Sequence, residues 1–492
     1  MSQIQVTDLT FAYEGSYDNI FEDVSFNIDT DWRLGFIGRN GRGKTTFLNL
    51  LMGKHEYSGS IHSNVSFEYF PYVVSDTSRM TSDIVEEIAV NIESWQLLRE
   101  LSHLDMDDDV LYRPFNTLSN GERTKVMLAV LFAKENNFLL IDEPTNHLDA
   151  AARDIVSQYL RSKKGFILVS HDRKFLDECV DHIISINRTN IEIQKGNFSS
   201  WYENKMAQDD METAQNRKLK AEIGRLSEAA SRASSWSDKV EKSKKGTGES
   251  GNRPDRGYIG HKSAKMMKRS KSLEGRKREM ADEKSKLLRN IESAEELKLM
   301  PQRYHSEVLA ELDKVSIYYD DNAACENVSF DIRRQDRIAL SGPNSSGKSS
   351  ILKLLLGDDI SHLGRLEIGS NLKISYVPQD ASYLGGDLKD FIERHEIDEP
   401  LFKAILRKLD FDRIMFEKDI SDFSAGQKKK LLIAKSLCEK AHLYIWDEPL
   451  NYIDIFSRIQ IEDLLLEYEP TILFVEHDSA FSEKVATKNV LL

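Results

Sequence analysis

The chain has only three cysteines in 492 residues, Cys179, Cys325 and Cys438, and they lie far apart in no metal-ligand spacing. That excludes a disulfide-stapled scaffold or a cysteine-held zinc site and reads as reduced thiols. Long apolar runs are also missing. No stretch approaches the ~20 apolar residues of a membrane span. The opening MSQIQVTDLTFAYEG carries neither the basic nor the apolar region of a signal peptide. The expectation is a cytoplasmic protein. Positive charge is short as well: 67 Lys and Arg against 81 Asp and Glu give −14. Yet residues 239–279 hold 14 Lys and Arg against 5 Asp and Glu, which is +9 beside −23 for the rest. Such asymmetry points one segment toward a polyanion.

What is present is one pattern written twice. GRNGRGKTT begins at Gly38 and GPNSSGKSS at Gly342, an offset of 304. LSNGE at Leu118 answers FSAGQ at Phe423, and FLLIDEPTNHLD at Phe138 answers LYIWDEPLNYID at Leu443, both offset by 305. LVSHD ends at Asp172 and FVEHD at Asp478, offset by 306. Four motifs in order and in register mark a duplicated domain. Within each copy, short apolar strands alternate with helical stretches, the rhythm of an α/β domain with a largely parallel sheet. The copies are expected at 1–204 and 305–492.

Both Gly-rich loops satisfy G-x-x-x-x-G-K-[ST], each after an apolar strand and before a helix. Their main-chain N–H groups turn inward around phosphate oxygens. The candidate nucleotide residues are Gly38, Asn40, Gly41, Gly43, Lys44, Thr45 and Thr46, and Gly342, Asn344, Gly347, Lys348, Ser349 and Ser350. Lys44 and Lys348 are expected at the β/γ-phosphates, and Thr45 and Ser349 at Mg²⁺. Asp142 and Asp447, at strand ends, suit the metal; Glu143 and Glu448, which follow them, suit polarisation of an attacking water. His171 and His477 read either as satisfied core histidines or as γ-phosphate sensors, their recurrence favouring the second.

These residues are similar to the motifs of a tandem ATP-binding-cassette ATPase: Walker A, signature, Walker B, D-loop (Asp149, Asp454) and switch histidine, in both halves. The resemblance implies two ATP molecules sandwiched head to tail. Each would lie between one Walker A and the other copy's signature, at Ser119 and Gly121 or Ser424 and Gly426. Tyr13 and Tyr319 lie where an adenine-stacking ring would be, though strand-core tyrosines fit equally. Gln379 is the second copy's Q-loop glutamine and a further metal ligand; the first copy has Tyr72 in its place. Asn120, Ala425, Gln427, and the EPLNYID and EHD segments depart from the usual motifs. Both glutamates are retained, so two competent sites of unequal rate are expected.

Residues 205–304 separate the copies. Leu219, Ile223, Leu226, Ala230 and Ala233 step by 4 and 3, and Met266, Leu273, Met280 and Leu287 recur every seven, with Ile291 beyond. Both patterns suit a coiled coil. Between them the stretch KSKKGTGESGNRPDRGYIGHKSAKMMKRSK breaks any helix at its glycines and Pro254. The expectation is an antiparallel α-helical hairpin with a basic tip near 242–262. A helix of ~35 residues would reach about 50 Å. A charge run alone reads as a solvated linker; at the end of a lever it reads as a probe. There Lys244, Lys245, Arg253 and Arg256 would meet phosphates, and Tyr258 and His261 would stack on unpaired bases.

Tandem cassettes joined by such a hairpin resemble the ABC-F translation factors, and most nearly the Lsa-type antibiotic-resistance proteins. The YEGSYDNIF…GFIGRNGRGKTTFLNLL opening, the FEYFPY segment and the glycine-bearing linker carry this resemblance. It implies a bacterial 70S ribosome as partner, at the E site, near the 23S rRNA of the peptidyl-transferase centre and the P-site tRNA. It implies no transmembrane partner. ATP and Mg²⁺ are the implied cofactors, and lincosamides, pleuromutilins and streptogramin A the implied drugs. A housekeeping factor relieving stalled ribosomes is the nearest rival. An exporter's ATPase subunit would leave the linker without a role, and a chromosome-type ATPase would need a longer arm.

Overall fold

The computed structural model describes residues 2–14, 19–89, 92–134, 137–146, 148–187, 190–215, 217–218, 301–319, 322–343, 345–409, 411 and 413–492, with six isolated positions between 261 and 276. Met1–Trp201 and Glu295–Leu492 form one compact unit, and Tyr202–Ala294 a second. In the second unit, 202–215 are helical. The heptad positions from Leu219 to Ile291 lie outside the described residues. So do Lys244, Lys245, Arg253, Arg256 and Tyr258 of the basic tip; His261 is helical and exposed.

The first unit contains the expected duplication. In the first copy, strands Ser66–Phe70, Asn137–Asp142, Phe166–Val169, Arg33–Ile37, His182–Asn187 and Asn190–Lys195 lie side by side in that order. The first five are parallel, and the last pairs antiparallel. In the second copy, Ile374–Val377, Leu443–Asp447, Ile472–Val475, Arg337–Ser341 and Lys488–Leu491 repeat the parallel five. A parallel sheet covered on both faces buries both sides of each strand, so its strands read as unbroken apolar runs. Accordingly FILV (Phe166–Val169) and ILFV (Ile472–Val475) are buried at every position.

A separate antiparallel sheet packs on each copy. In the first it orders Phe21–Asp29, Gln3–Phe11 and Ser58–His62. Gln3–Phe11 buries Ile4, Val6, Leu9 and Phe11 and leaves the residues between exposed or half-buried, a half-buried strand whose two-residue period shifts at an irregularity between Val6 and Leu9. Those side chains share a core with Phe36, Phe47, Phe138 and Val169.

Helices cover the sheets and aim chain ends at one edge. Lys44–Leu51 and Lys348–Leu356 follow the Gly-rich loops. Asn120–Ala133 and Ala425–Cys438 follow the LSNGE and FSAGQ serines. Ser119 caps its helix by accepting from the Glu122 N–H, while the Glu122 carboxylate accepts from the Ser119 N–H. Ser424 and Gln427 repeat this reciprocal cap, so the change from Glu to Gln keeps the device intact. Among the described residues no helix is long and apolar enough to cross a membrane.

Candidate active site

The two copies face each other within the first unit and enclose two cavities between them. One, of about 1020 Å³, is lined by Gly347, Lys348, Ser349, Ser350, Tyr319, Gln379, Glu448 and His477 of the second copy, and by Ser119, Gly121 and Asp149 of the first. The other, of about 520 Å³, is lined by Asn40, Gly41, Gly43, Lys44, Thr45, Thr46, Tyr13, Asp142, Glu143 and His171 of the first copy, and by Ser424 and Gly426 of the second. Each cavity therefore joins one copy's loop to the other's capped serine helix, the head-to-tail arrangement expected from the motifs. Asn344 falls outside the described residues. Gly38 and Gly342 stand at the strand ends that open their loops.

The loops have this shape because their residues permit nothing else. Gly43 and Gly347 adopt φ of 96° and 85°. A Cβ on Gly43 would lie 2.5 Å from the Ile20 side chain, and one on Gly347 2.7 Å from the Ala324 carbonyl oxygen. Only glycine fits there. Lys44 Nζ donates to the Gly38 carbonyl at 2.7 Å, and Lys348 Nζ to that of Gly342 at 2.8 Å. Both amines sit inside their loops. Burial lowers the pKa of each; at Lys44 the carboxylates of Asp454, Glu143 and Asp142 oppose that.

The carboxylates stand directly behind the loops. Thr45 Oγ1 donates to Asp142 Oδ2 at 3.1 Å, and the Ser349 hydroxyl bonds Asp447 in the second copy. Asp447 Oδ1 is buried with no hydrogen-bond partner among the described residues. A hydroxyl beside a buried, underused carboxylate oxygen is an oxygen-only donor set of the kind Mg²⁺ takes, so these residues fit that ion.

Glu143 and Glu448 both sit at positive φ, 50° and 46°. Such a backbone costs about 1–3 kcal/mol in a non-glycine residue and persists only where neighbours enforce it. Here the enforcing contacts are the Glu143 N–H to the Val169 oxygen at 2.9 Å and the Glu448 N–H to that of Val475 at 3.0 Å. His171 Nε2 lies 3.3 Å from Glu143, and His477 Nε2 3.4 Å from Glu448. The histidines are therefore cavity residues paired with an acid, rather than core residues.

The two glutamates differ electrostatically. Burial and the neighbouring Asp142 carboxylate push the Glu143 carboxyl up to about 8. Burial, with Lys44 and Arg458 nearby, drives His171 well below its ordinary range. Burial opposes ionisation of Glu448 too. There, bonding to His477, Gln379 and Asn451 outweighs it and brings the carboxyl down to about 2. Asn451 Nδ2 donates to Glu448 Oε2 at 2.6 Å, whereas buried Glu143 Oε1 accepts no hydrogen bond among the described residues and has His171 Nε2 at 3.3 Å.

Tyr13 and Tyr319 are half exposed rather than strand-core residues. Their hydroxyls bond Thr46 Oγ1 at 2.8 Å and Ser350 Oγ at 3.1 Å, and each residue lines its cavity. Tyr72 turns away: it donates to Glu68 at 3.0 Å, and the Lys134 amine lies over its ring. Tyr69, not expected from the motifs, reaches the site instead and donates to Asp142 Oδ2 at 3.0 Å. Arg153 and Lys429 lie outside the quoted motifs, whereas Asn451 and Glu476 fall inside EPLNYID and EHD, segments read as departures with no role for either residue. The tyrosine that FEYFPY shares with SYVPQ, residues 375–379 of the second copy, was the available signal for Tyr69.

A fold with two P-loop cassettes closing on each other's serine helices defines a tandem ATPase of the ATP-binding-cassette class. The family model described as ABC transporter matches residues 21–146 and 325–451, just over half of the chain. The chain belongs to that family and carries its ATPase domain twice, as an enzyme that binds and hydrolyses ATP.

Among curated proteins it is similar to the ribosome protection protein VmlR of Bacillus subtilis, 26% identical across 99% of this chain and 86% of that one. It is similar to the energy-dependent translational throttle protein EttA of Mycobacterium tuberculosis, 25% identical across 95% of this chain and 88% of that one. It is also similar to the ATP-binding protein Uup of Caulobacter vibrioides, 27% identical across 96% and 74%. Among solved structures, the archaeal ribosome recycling factor aABCE1, in complex with the stalk protein aP1, aligns over 98% of this chain and 87% of its own, with a TM-score of 0.63 at 17% identity. That likeness supports the fold.

Proposed function

We propose that the chain is an ABC-F protein that enters a drug-stalled bacterial ribosome with ATP bound and relieves the block at the peptidyl-transferase centre. One observation carries the reading. Two cassettes that close on each other within one chain are joined by a segment whose 239–279 stretch is +9 against −23 elsewhere. Cassette closure is then the power stroke, and the basic segment is the part suited to RNA phosphates. Relatives bearing the names ribosome protection protein and translational throttle protein support the same direction.

In this reading the cassettes occupy 1–204 and 305–492, with a helical hairpin at 205–304. Its tip (Lys244, Lys245, Arg253, Arg256, Tyr258, His261) reaches from the E site toward 23S rRNA and the P-site tRNA. Lincosamides, pleuromutilins and streptogramin A are the drug classes, the cytoplasm is the compartment, and no membrane partner is involved. Lys44 and Lys348 hold the β/γ-phosphates, and Tyr13 and Tyr319 stack on adenine. Ser119, Gly121, Ser424 and Gly426 close each site from across the interface. Thr45 with Asp142, and Ser349 with Asp447 and Gln379, hold Mg²⁺, which neutralises charge on the transferring phosphoryl group when bound. Glu143 and Glu448 orient the attacking water, and His171 and His477 sense the γ-phosphate. Hydrolysis then opens the cassettes and permits release.

The test is cell-free bacterial translation stalled by a lincosamide. Rescue should require ATP hydrolysis and vanish when 244–258 is replaced by a short Gly/Ser turn. Rescue that survives that replacement overturns the role of the tip. The similarity to EttA, 25% identical against 26% for VmlR, favours a second reading: a housekeeping factor that relieves stalled ribosomes. Ribosome binding and ATPase activity with no drug rescue select it.

A further inference from the structure

The serine-capped helix of the second cassette carries three consecutive lysines, Lys428, Lys429 and Lys430, all buried. A buried ammonium is costly unless its three donors find acceptors and its charge is balanced. Lys430 meets Asp454 at 3.0 Å. Lys429 is satisfied differently. Its Nζ donates to three main-chain oxygens: Pro378 at 2.7 Å, Gln379 at 3.0 Å and Asp447 at 3.3 Å. One amine thus joins the Gln379 loop to the end of the strand that carries Asp447 and Glu448.

The charged surroundings of Lys429 also differ between the cassettes. The Glu476, Asp447 and Glu448 carboxylates favour its charged form against burial, and Arg458 is the cation that most favours that of Glu476. Glu476 in turn accepts the N–H groups of Leu450 at 2.7 Å and His477 at 3.0 Å. The register of the duplication places Thr124 opposite Lys429, Ser170 opposite Glu476 and Thr145 opposite Leu450. In the first cassette Thr124 Oγ1 turns back to the Asn120 oxygen at 3.0 Å, and Ser170 and Thr145 share a buried hydroxyl contact of 3.2 Å. Two buried opposite charges therefore stand in one copy where the other has neutral hydroxyls. They appear in the copy that has a Q-loop glutamine, Gln379, bonded to Glu448.

We propose that Lys429 is a positioning residue for the second ATP site. It fixes the Gln379 main chain against the Asp447–Glu448 strand end so that the Gln379 side chain holds Glu448. The inference rests on the assignment of Gln379 and Glu448 to the second site and is independent of the ribosome.

The test uses the full chain carrying Glu143→Gln, so that hydrolysis reports the second site. Lys429→Thr and Glu476→Ser install the first cassette's residues, singly and together, and each variant is followed by thermal unfolding and by ATP hydrolysis. Lys429→Thr should lower Tm by leaving three main-chain oxygens without their donor. With or without Glu476→Ser it should hold kcat about tenfold below its parent, because Gln379 is no longer held in place. In a Gln379→Ala chain the same changes should cost no further kcat, since the effect runs through Gln379. A Lys429→Thr variant with its parent's kcat overturns the proposal; so does a full further loss in Gln379→Ala. Adding Glu448→Gln checks the site assignment separately: activity that survives it refutes that assignment, while the unfolding data still judge the three main-chain bonds of Lys429.

Discussion

Arg153 of the first cassette donates a 2.8 Å hydrogen bond to the main-chain oxygen of His477 in the second. The same nitrogen donates to Asp172, beside His171, at 2.9 Å. One guanidinium therefore grips the residues around both cavity histidines. Its counterpart in the repeat, Arg458, bonds Asp478, Leu450 and Ile453, all in its own copy. Hydrogen bonds to charged groups are worth about 1.5–3 kcal/mol, enough to couple two sites measurably. Arg153→Met should lower the Hill coefficient of ATP hydrolysis toward 1 and leave ATP binding to an isolated site little changed. Arg458→Met should chiefly lower Tm. Unchanged cooperativity in Arg153→Met would count against the link.

The two sites should not turn over equally. Glu448 is held by Asn451, Gln379 and His477, and enters the reaction ionised. Glu143 has Tyr72 where the second copy has Gln379, and its buried Oε1 accepts no hydrogen bond among the described residues. Glu448→Gln should therefore remove most steady-state turnover and Glu143→Gln a smaller part, with single-turnover rates ranking the same way. Equal losses would show that the asymmetry of the resting sites does not reach the chemical step.

Much of this site was legible in the sequence because its parts are local. A glycine loop, a strand-end acid pair and a serine helix cap each need residues only a few positions apart. Repetition at offsets of 304 to 306 supplied the long-range register. What escaped was long-range and chemically ordinary. Lys429 meets Pro378 some fifty residues away, and nothing in a run of lysines announces that it is buried. Arg153 reaches His477 across 324 positions. The strand His182–Asn187 and the helices Thr81–Ile88 and Ser94–His103 were also not anticipated, since no motif marks them.

Glu100 tests a buried cluster away from the cavities. It accepts from Tyr159 Oη at 2.7 Å, Arg99 Nη2 at 2.9 Å and Lys163 Nζ, tying helix Ser94–His103 to helix Ala150–Arg161. Burial opposes its charge, but bonds from Lys163 and Tyr159 prevail and lower its pKa below the usual glutamate value. Its contribution to stability is thus present above the unfolded glutamate pKa and lost as pH falls through the lower folded value. Glu100→Gln should cost about 1–3 kcal/mol at pH 7 and flatten the acid limb of Tm against pH. An unchanged acid limb would assign that loss to other carboxylates.

Gly426 should tolerate a methyl group far less well than its counterpart Gly121. A Cβ on Gly426 would stand 2.6 Å from the Tyr452 carbonyl oxygen, which accepts the Asn40 side-chain amide across the interface at 2.7 Å. A Cβ on Gly121 would meet nothing nearer than the Leu148 side chain at 3.8 Å. Gly426→Ala must therefore displace backbone and break the Asn40 contact. Overpacking of this kind costs about 1–3 kcal/mol, set against closure of the first cavity. In a chain labelled on both cassettes, ATP-driven approach measured by energy transfer should need more ATP, or fail, in Gly426→Ala and remain near normal in Gly121→Ala. Equal effects of the two would mean that the Tyr452 turn yields on closing, and that the tight fit around Gly426 does not limit assembly of the first site.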